Sequence, residues 1–194
     1  LQLCELVDQR VPSKWRWRGR RVRIVDGTTL TMPDTLDNQK NYPQQGGQQP
    51  GLGFPICRLV GITCLSTGMV MNAAMGPYHG KGSDEQSLLR SLQNTFQSGD
   101  IVLGDAYFAT YFFIAAMQSQ GIDIVMEQHG ARRKSTDFRR GQQVGYRDHV
   151  IKLNKPKNKP GWMSDDDYDA APDTVSVREM KTGGKILITT MQDA

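Results

Sequence analysis

The sequence predicts an α/β fold, a mixed β-sheet covered by helices, with further β-structure toward its C-terminal end. Three observations carry that prediction. Apolar runs of strand length recur from residue 22 onward, two stretches switch to helical period, and before residue 130 the elements follow the order β-β-β-α-β-α-β.

Taken in order, residues 1–21 form a basic segment in which Arg16-Trp17-Arg18-Gly19-Arg20-Arg21 leads into the first apolar run. Residues 22–32 read as a strand carrying Asp26. Residues 33–55, rich in Pro, Gln, Gly and Asn, predict a loop with no core of its own, mobile or in contact with a partner. The runs 56–65 and 69–76 flank Ser66-Thr67-Gly68 and predict a hairpin. Over 84–97 the period becomes helical, with Leu88, Leu89, Leu92 and Phe96 on one stripe, Ser83 as N-cap, and Glu85 and Gln86 in the first turn.

Gly99-Asp100 ends that helix, and Ile101-Val102-Leu103-Gly104 forms a buried strand leading into Asp105. Residues 107–120 predict a buried helix ending at Gly121, and 122–127 another strand. Beyond 130 the predicted strands are 149–153, 174–180 and 185–190, with Asp165-Asp166-Asp167 as solvated surface in a loop. Antiparallel strands first and parallel strands later are consistent with the ribonuclease-H-like architecture. The expected division is a basic segment 1–21, a partial core 22–129 and a partial β-rich insertion 130–194.

The chain of 194 residues is 38% hydrophobic, with a formal charge of +4 and a pI near 9.0. The positive charge is clustered at 16–23, 132–134, 139–140 and 152–159, which predicts a polyanionic partner, nucleic acid first among them; a solvated basic face is the alternative. Cys4, Cys57 and Cys64 offer no C-x-x-C and there is no histidine pair at ligand spacing, which argues against zinc and for packing roles in a reducing cytoplasm. No run approaches the roughly 18 apolar residues of a membrane span, and no signal peptide is visible. The opening Leu1-Gln2-Leu3 and the stop just after an apolar strand predict a piece of a longer protein.

Asp26 and Asp105 carry the chemistry. An apolar strand that delivers a carboxylate and then a small residue places an acid at a sheet edge. Two such strands side by side would offer hard oxygen ligands to magnesium or manganese, and two ions roughly 3.5–4 Å apart serve both oxygens of an in-line phosphoryl displacement. The competing readings are a turn at Asp26-Gly27 and a helix cap at Asp105.

Asp26-Gly27-Thr28-Thr29 with Pro33-Asp34-Thr35, Tyr42-Pro43-Gln44 and Gly51-Leu52-Gly53-Phe54-Pro55 resembles the first acidic motif of bacterial DDE transposases of the insertion-sequence-four family. Gly104-Asp105-Ala106-Tyr107-Phe108 resembles the second acidic motif, and His79-Gly80-Lys81-Gly82-Ser83-Asp84-Glu85 the segment leading into the intervening helix. Pro160-Gly161-Trp162-Met163, Val177-Arg178-Glu179 and Ile188-Thr189-Thr190 resemble the family's β-rich insertion. The likeness runs from about residue 18 to 194. It implies a magnesium-dependent enzyme that cleaves transposon ends and joins them to target DNA, working as a homodimer in the bacterial cytoplasm and associated with the nucleoid. Asp26 and Asp105 would be its first two acids and metal ligands. The third family acid lies in a Tyr-x2-Arg-x3-Glu-x6-Lys helix that this sequence lacks, so the piece is expected to be inactive alone.

Glu127 and Asp148 are weaker substitutes for that third acid. Asp34 and Asp37 read as turn formers, Glu85 as a helix-start residue, and His79 and His129 as structural or DNA-contacting. The glycines at 46–47 and 51–53 lack the phosphate-loop pattern. The candidate DNA-binding residues are Arg16, Arg18, Arg20, Arg21, Arg132, Arg133, Lys134, Lys155 and Lys157. Trp15 and Trp17 either stack on bases or anchor the segment on the core. Lys152 through Lys159, broken by Pro156, predict an extended basic loop suited to phosphate contact. Two other functions share these features: a non-catalytic DNA-binding remnant of a decayed transposase, and a ribonuclease-H-like nuclease.

Overall fold

A computed structural model describes residues 2–49 and 51–192, with the side chains of Gln2 and Arg133 outside that set. The chain divides into two units, Leu1–Pro12 with Ile24–Thr95, and Ser13–Arg23 with Phe96–Ala194.

The first unit contains α1 (Gln2–Gln9), most of β1 (Val22–Thr31), α2 (Leu36–Asn41), β2 (Ile56–Cys64), β3 (Val70–Pro77) and α3 (Glu85–Ser91). Its strands lie in the order β3-β2-β1. The expected hairpin is there: β2 and β3 pair antiparallel with Val60 opposite Ala74, and Cys64 N–H closes the turn on the Met69 carbonyl at 2.9 Å. Val25, Val60, Ile62, Leu88 and Leu89 are buried.

Helix α3 starts and stops later and earlier than its stripe predicts. Asp84, not Ser83, is the N-cap, its carboxylate accepting from Ser87 N–H at 3.0 Å. Ser83 is buried and donates its hydroxyl to the Gly80 carbonyl at 2.8 Å. After Ser91 the chain tightens into a 3-10 turn over Gln93–Thr95, so the expected continuous helix becomes two pieces.

The polar segment 33–55 is ordered by side-chain amides rather than by a core. Thr35 caps α2 by accepting from Asn38 N–H. The Gln44 amide donates to the carbonyls of Gln48 and Gln49 and accepts from the N–H groups of Gly51 and Gly53. Gln39 joins in, donating to the Gly53 carbonyl at 3.0 Å. A glutamine amide has two donors and an acceptor that can imitate the backbone ladder. The segment has no core of its own, as expected, but composition does not reveal these amide bonds or the short α2.

The second unit holds β4 (Ile101–Gly104), α4 (Tyr111–Ser119), β5 (Asp123–Glu127), α5 (Gly130–Arg133), β6 (Gln142–Gly145), β7 (Asp148–Asn154), α6 (Asp165–Ala170), β8 (Thr174–Thr182) and β9 (Lys185–Thr189). Strand order is β4-β5-β9-β8-β7-β6. β4 and β5 are parallel, as expected for strands joined through a helix, and the remaining pairs are antiparallel. The chain entering β1 lies beside β4, where Ile101 N–H donates to the Arg21 carbonyl at 2.8 Å. Ile114, Met117, Ile124, Met126, Val177 and Ile188 form the buried core.

Residues 130–194 are β-rich, and β9 pairs directly with β5, Val125 opposite Thr189. The fold is thus α/β, with parallel and antiparallel strand pairs in the second unit. Asp165-Asp166-Asp167, expected in a loop, opens α6 instead: Ser164 Oγ accepts from Asp167 N–H at 3.1 Å. Three aspartates in a first helical turn complement the positive end of the helix dipole.

Candidate catalytic carboxylates and basic surface

β1 positions Asp26 within the first unit. Val25, the residue before it, is buried, and the alternation of a strand turns Asp26 outward, where it is exposed. Its Oδ1 accepts from Gly27 N–H at 2.9 Å, which fixes one oxygen; no ion pair engages Asp26 among the described residues. Gly27 is close-packed: a Cβ there would lie 2.7 Å from Glu85 Oε1. Glu85 opens α3 and faces Arg58, Nε to Oε1 3.9 Å.

In the second unit, Asp105 follows the last residue of β4. It too is exposed, its Oδ1 accepting from Tyr107 N–H at 2.9 Å. That bond forms an Asx turn, and the helix expected from 107 begins only at Tyr111, with Thr110 at the N-cap position but no side-chain capping bond from it. Asp105 is therefore not the cap of α4. It likewise makes no ion pair among the described residues.

Each aspartate thus presents a carboxylate with one oxygen held by the backbone and no cation neutralising it among the described residues. Hard, pre-oriented oxygen donors of this kind fit a magnesium or manganese ion. Among the described residues no group of three or more His, Cys, Asp or Glu side chains is gathered to hold a metal.

The acids considered as substitutes are engaged elsewhere. Glu127 pairs with Lys185 at 2.7 Å, and Asp148 meets Arg178 through two bonds of 2.8 and 2.7 Å. Arg178 holds the Asp148 carboxyl below the usual carboxylate range through that hydrogen bonding. Asp34 accepts from Gln39 Nε2 at 2.7 Å. His129 caps α5, its Nδ1 accepting from Ala131 N–H, and the His79 ring meets Tyr78 edge to face.

The nine basic candidates sort by what they touch. Arg20 reaches Asp123 at 2.6 Å and donates to the carbonyls of Gly99 and Asp100. Arg21 pairs with the buried Asp100 at 2.8 Å and bonds Gln97, while the buried Arg23 approaches the other Asp100 oxygen at 3.4 Å. These arginines fasten the start of β1 to the 97–101 and 123 segments. Arg16 is half-buried.

Arg132 bonds the buried Glu179 at 2.7 Å, and Lys155 is taken up by the carbonyls of Tyr168 and Ala171. Arg18, Lys134 and Lys157 are exposed and have no acidic partner among the described residues. The side chain of Arg133 lies outside the described residues. Trp15 and Trp17 are 60% and 43% exposed, so neither is an anchor in the core.

Two polar networks have no signature in the sequence. Asp100, fully buried, gathers Arg21, Arg23 and the Gln97 N–H. Glu179, also fully buried, gathers Gln128, Arg132 and His149. Only a charged residue at an inward strand position, Glu179 between Val177 and the alternating run after it, could have hinted at the second.

The fold is an α/β domain with two strand-borne, exposed aspartates. Comparison with known families is more specific: the model described as "Transposase DDE domain" matches residues 17–181. The chain belongs to that family. Among solved structures it is similar to a piggyBac transposase, determined by cryo-electron microscopy as a synaptic complex with hairpin DNA, at 8% identity and a TM-score of 0.46. That match covers 89% of this chain and 34% of the other, so the chain spans about a third of that transposase. No curated protein matches the chain. Among the described residues no helix is long and apolar enough to cross a membrane.

Proposed function

We propose that this chain is the acid-bearing part of a DDE transposase of the insertion-sequence-four type, with Asp26 and Asp105 as two of its catalytic carboxylates. The observation that carries the reading is that both acids of the resemblance are exposed, oriented by one backbone hydrogen bond each, and free of any cationic partner among the described residues. A structural aspartate is normally neutralised, as Asp100, Asp123 and Asp148 are here.

On this reading Asp26 and Asp105 hold magnesium or manganese. Such an ion, when bound, would supply charge relief at the scissile phosphodiester and activate a water at neutral pH. The chain's own part is to present each carboxylate from a strand and to guide DNA with the exposed cations Arg18, Lys134, Lys152, Lys157, Arg139 and Arg140. Transposon ends and target DNA are the polyanions those cations would meet, in a homodimer of the intact protein. Because residues 1–194 contain no Tyr-x2-Arg-x3-Glu-x6-Lys run, they bind metal and DNA without cleaving.

The test is calorimetric titration of magnesium or manganese into the chain and into the Asp26→Asn, Asp105→Asn double variant. Saturable binding that the double variant loses supports the reading. Equal, weak binding by both would sink the catalytic assignment and leave the alternative of DNA binding without chemistry.

A further inference from the structure

The turn Trp17-Arg18-Gly19-Arg20 departs from the geometry its residues favour. Arg20 N–H donates to the Trp17 carbonyl at 2.9 Å, and Trp17 and Arg20 form an isolated antiparallel bridge. Both central residues are left-handed, Arg18 at φ 48° and Gly19 at φ 77°. A tight turn of this kind wants glycine or asparagine at both positions, and an arginine at the first is strained. Such strain persists where the surrounding structure enforces it, and it is a pointer to function.

Placement is what the strained turn achieves. The Arg18 guanidinium lies over one face of the exposed Trp17 ring, 5.1 Å from its centroid. Both residues border an open cleft of about 480 Å³ whose other walls are Arg20, Asp123, Thr190, Met191 and Gln192. The floor is satisfied internally. Arg20 pairs with Asp123 at 2.6 Å, and Asp123 accepts from the Thr190 hydroxyl at 2.6 Å. The Thr190 oxygen in turn accepts from Ile124 N–H at 3.0 Å. Among the described residues two arginines line the cleft against one aspartate, and Arg18 is the one that makes no ion pair there.

A tryptophan with one ring face under the Arg18 guanidinium and the other face left to a base, beside a cation with no acidic partner among the described residues, matches the two ends of a nucleotide. The ring offers a π-surface to a base, and the guanidinium a forked donor to a phosphate. A base paired within a duplex keeps its faces stacked on its neighbours and has none to offer Trp17. We propose that this cleft binds an unpaired nucleotide of a DNA strand, Trp17 stacking on the base and Arg18 contacting the adjoining phosphate. The proposal rests on the DNA reading above and adds a seat for single-stranded rather than duplex DNA.

Arg18→Gly is the informative variant, because glycine fits the left-handed position better than arginine while removing the guanidinium. Fluorescence anisotropy would follow a labelled single-stranded oligothymidylate and, separately, a labelled blunt duplex. Arg18→Gly should melt no lower than the parent yet bind the single strand roughly tenfold more weakly, with duplex affinity moved far less. Trp17→Phe should retain single-strand binding and Trp17→Ala lose it.

Duplex binding with single-strand affinity unchanged in Arg18→Gly and Trp17→Ala would overturn the cleft proposal and leave the DNA reading standing. Failure to bind either DNA would overturn both. Thymidine monophosphate competing as well as the oligonucleotide at equal concentration would overturn a strand as the occupant.

Discussion

Replacing Glu179 with alanine should destabilise the chain by about 3 kcal/mol. The carboxylate has no exposure to solvent. Its Oε1 accepts from Gln128 Nε2 at 2.6 Å and from Arg132 Nε at 2.7 Å, and its Oε2 faces His149 Nε2 at 3.0 Å. It therefore ties β8 to β7, to the residue after β5 and to α5. Removing one member of a buried, hydrogen-bonded charge pair costs about 3–5 kcal/mol, because the partners stay desolvated. Two partners have recourse here: Gln128 keeps its bonds to Thr136, and Arg132, at 35% side-chain exposure, can turn to water. His149, 1% exposed, keeps only the Arg140 carbonyl at 2.7 Å. That asymmetry sets the expectation at the low end of the range. For a chain of this size it corresponds to a fall in melting temperature of about 6–12 °C. Urea denaturation and calorimetry of the full chain would measure it, and Glu179→Gln, which keeps one acceptor, should cost about half as much. A Glu179→Ala variant within about 1 kcal/mol of the parent would refute the hub argument, since no rearrangement of side chains this buried supplies a substitute acceptor.

Gly141→Ala should cost about 3 kcal/mol or more in urea denaturation, because φ is +74° and a Cβ would collide with the Val150 carbonyl and lie 2.6 Å from Ile151 Cγ2. Gly19→Ala, at φ +77° with nothing within 4 Å, should cost only about 1 kcal/mol, the backbone penalty alone. Arg178 holds the Asp148 carboxyl below its usual range, so the pair contributes stability above the unfolded value and loses it as pH falls through the folded one. Below about pH 4 the parent should therefore lose stability more steeply than Asp148→Asn, read as denaturation midpoints at neutral and acid pH. Arg20→Ala should lower the melting temperature by several degrees, having lost Asp123 and two carbonyl partners, a change no added DNA would reproduce in sign.

Where periodicity and turn chemistry agree, the fold was legible. The hairpin of β2 and β3 needed only two apolar runs and the Ser66-Thr67-Gly68 turn, and the parallel pair β4 and β5 needed only two short runs separated by a helical stretch. Boundaries failed where a side chain competed with the backbone. Asp84 captured Ser87 N–H and took the cap from Ser83, and Asp105 captured Tyr107 N–H and delayed α4 to Tyr111. Within segment 33–55 the short α2 and its amide bonds went unread for a related reason. Composition counts glutamine as polar surface, whereas Gln39 and Gln44 act as surrogate backbone, and no spacing rule announces which carbonyls they will find.

The acids and the bases differed in legibility for a physical reason. A carboxylate placed by a strand is exposed or buried according to alternation, a local property, and so Asp26 and Asp105 could be picked out from apolar run, acid and small residue. An arginine reaches several ångströms from its Cα, and its partner is decided by tertiary structure. Arg18, Arg20 and Arg21 sit in one run of the sequence, yet Arg20 and Arg21 terminate on Asp123 and Asp100, 103 and 79 positions away, while Arg18 terminates on its neighbour's ring. Their common charge then serves opposite ends. Removing Arg20 or Arg21 strands a buried or half-buried aspartate and should register as instability, whereas removing Arg18 strands nothing and even relieves the backbone. A basic cluster is thus an ensemble of anchors and contacts, and only the pattern of stability against affinity across its members separates the two. Were Arg18→Gly and Arg20→Ala to lower stability alike, the distinction drawn from their partners would be wrong, and with it the assignment of Arg18 to a ligand.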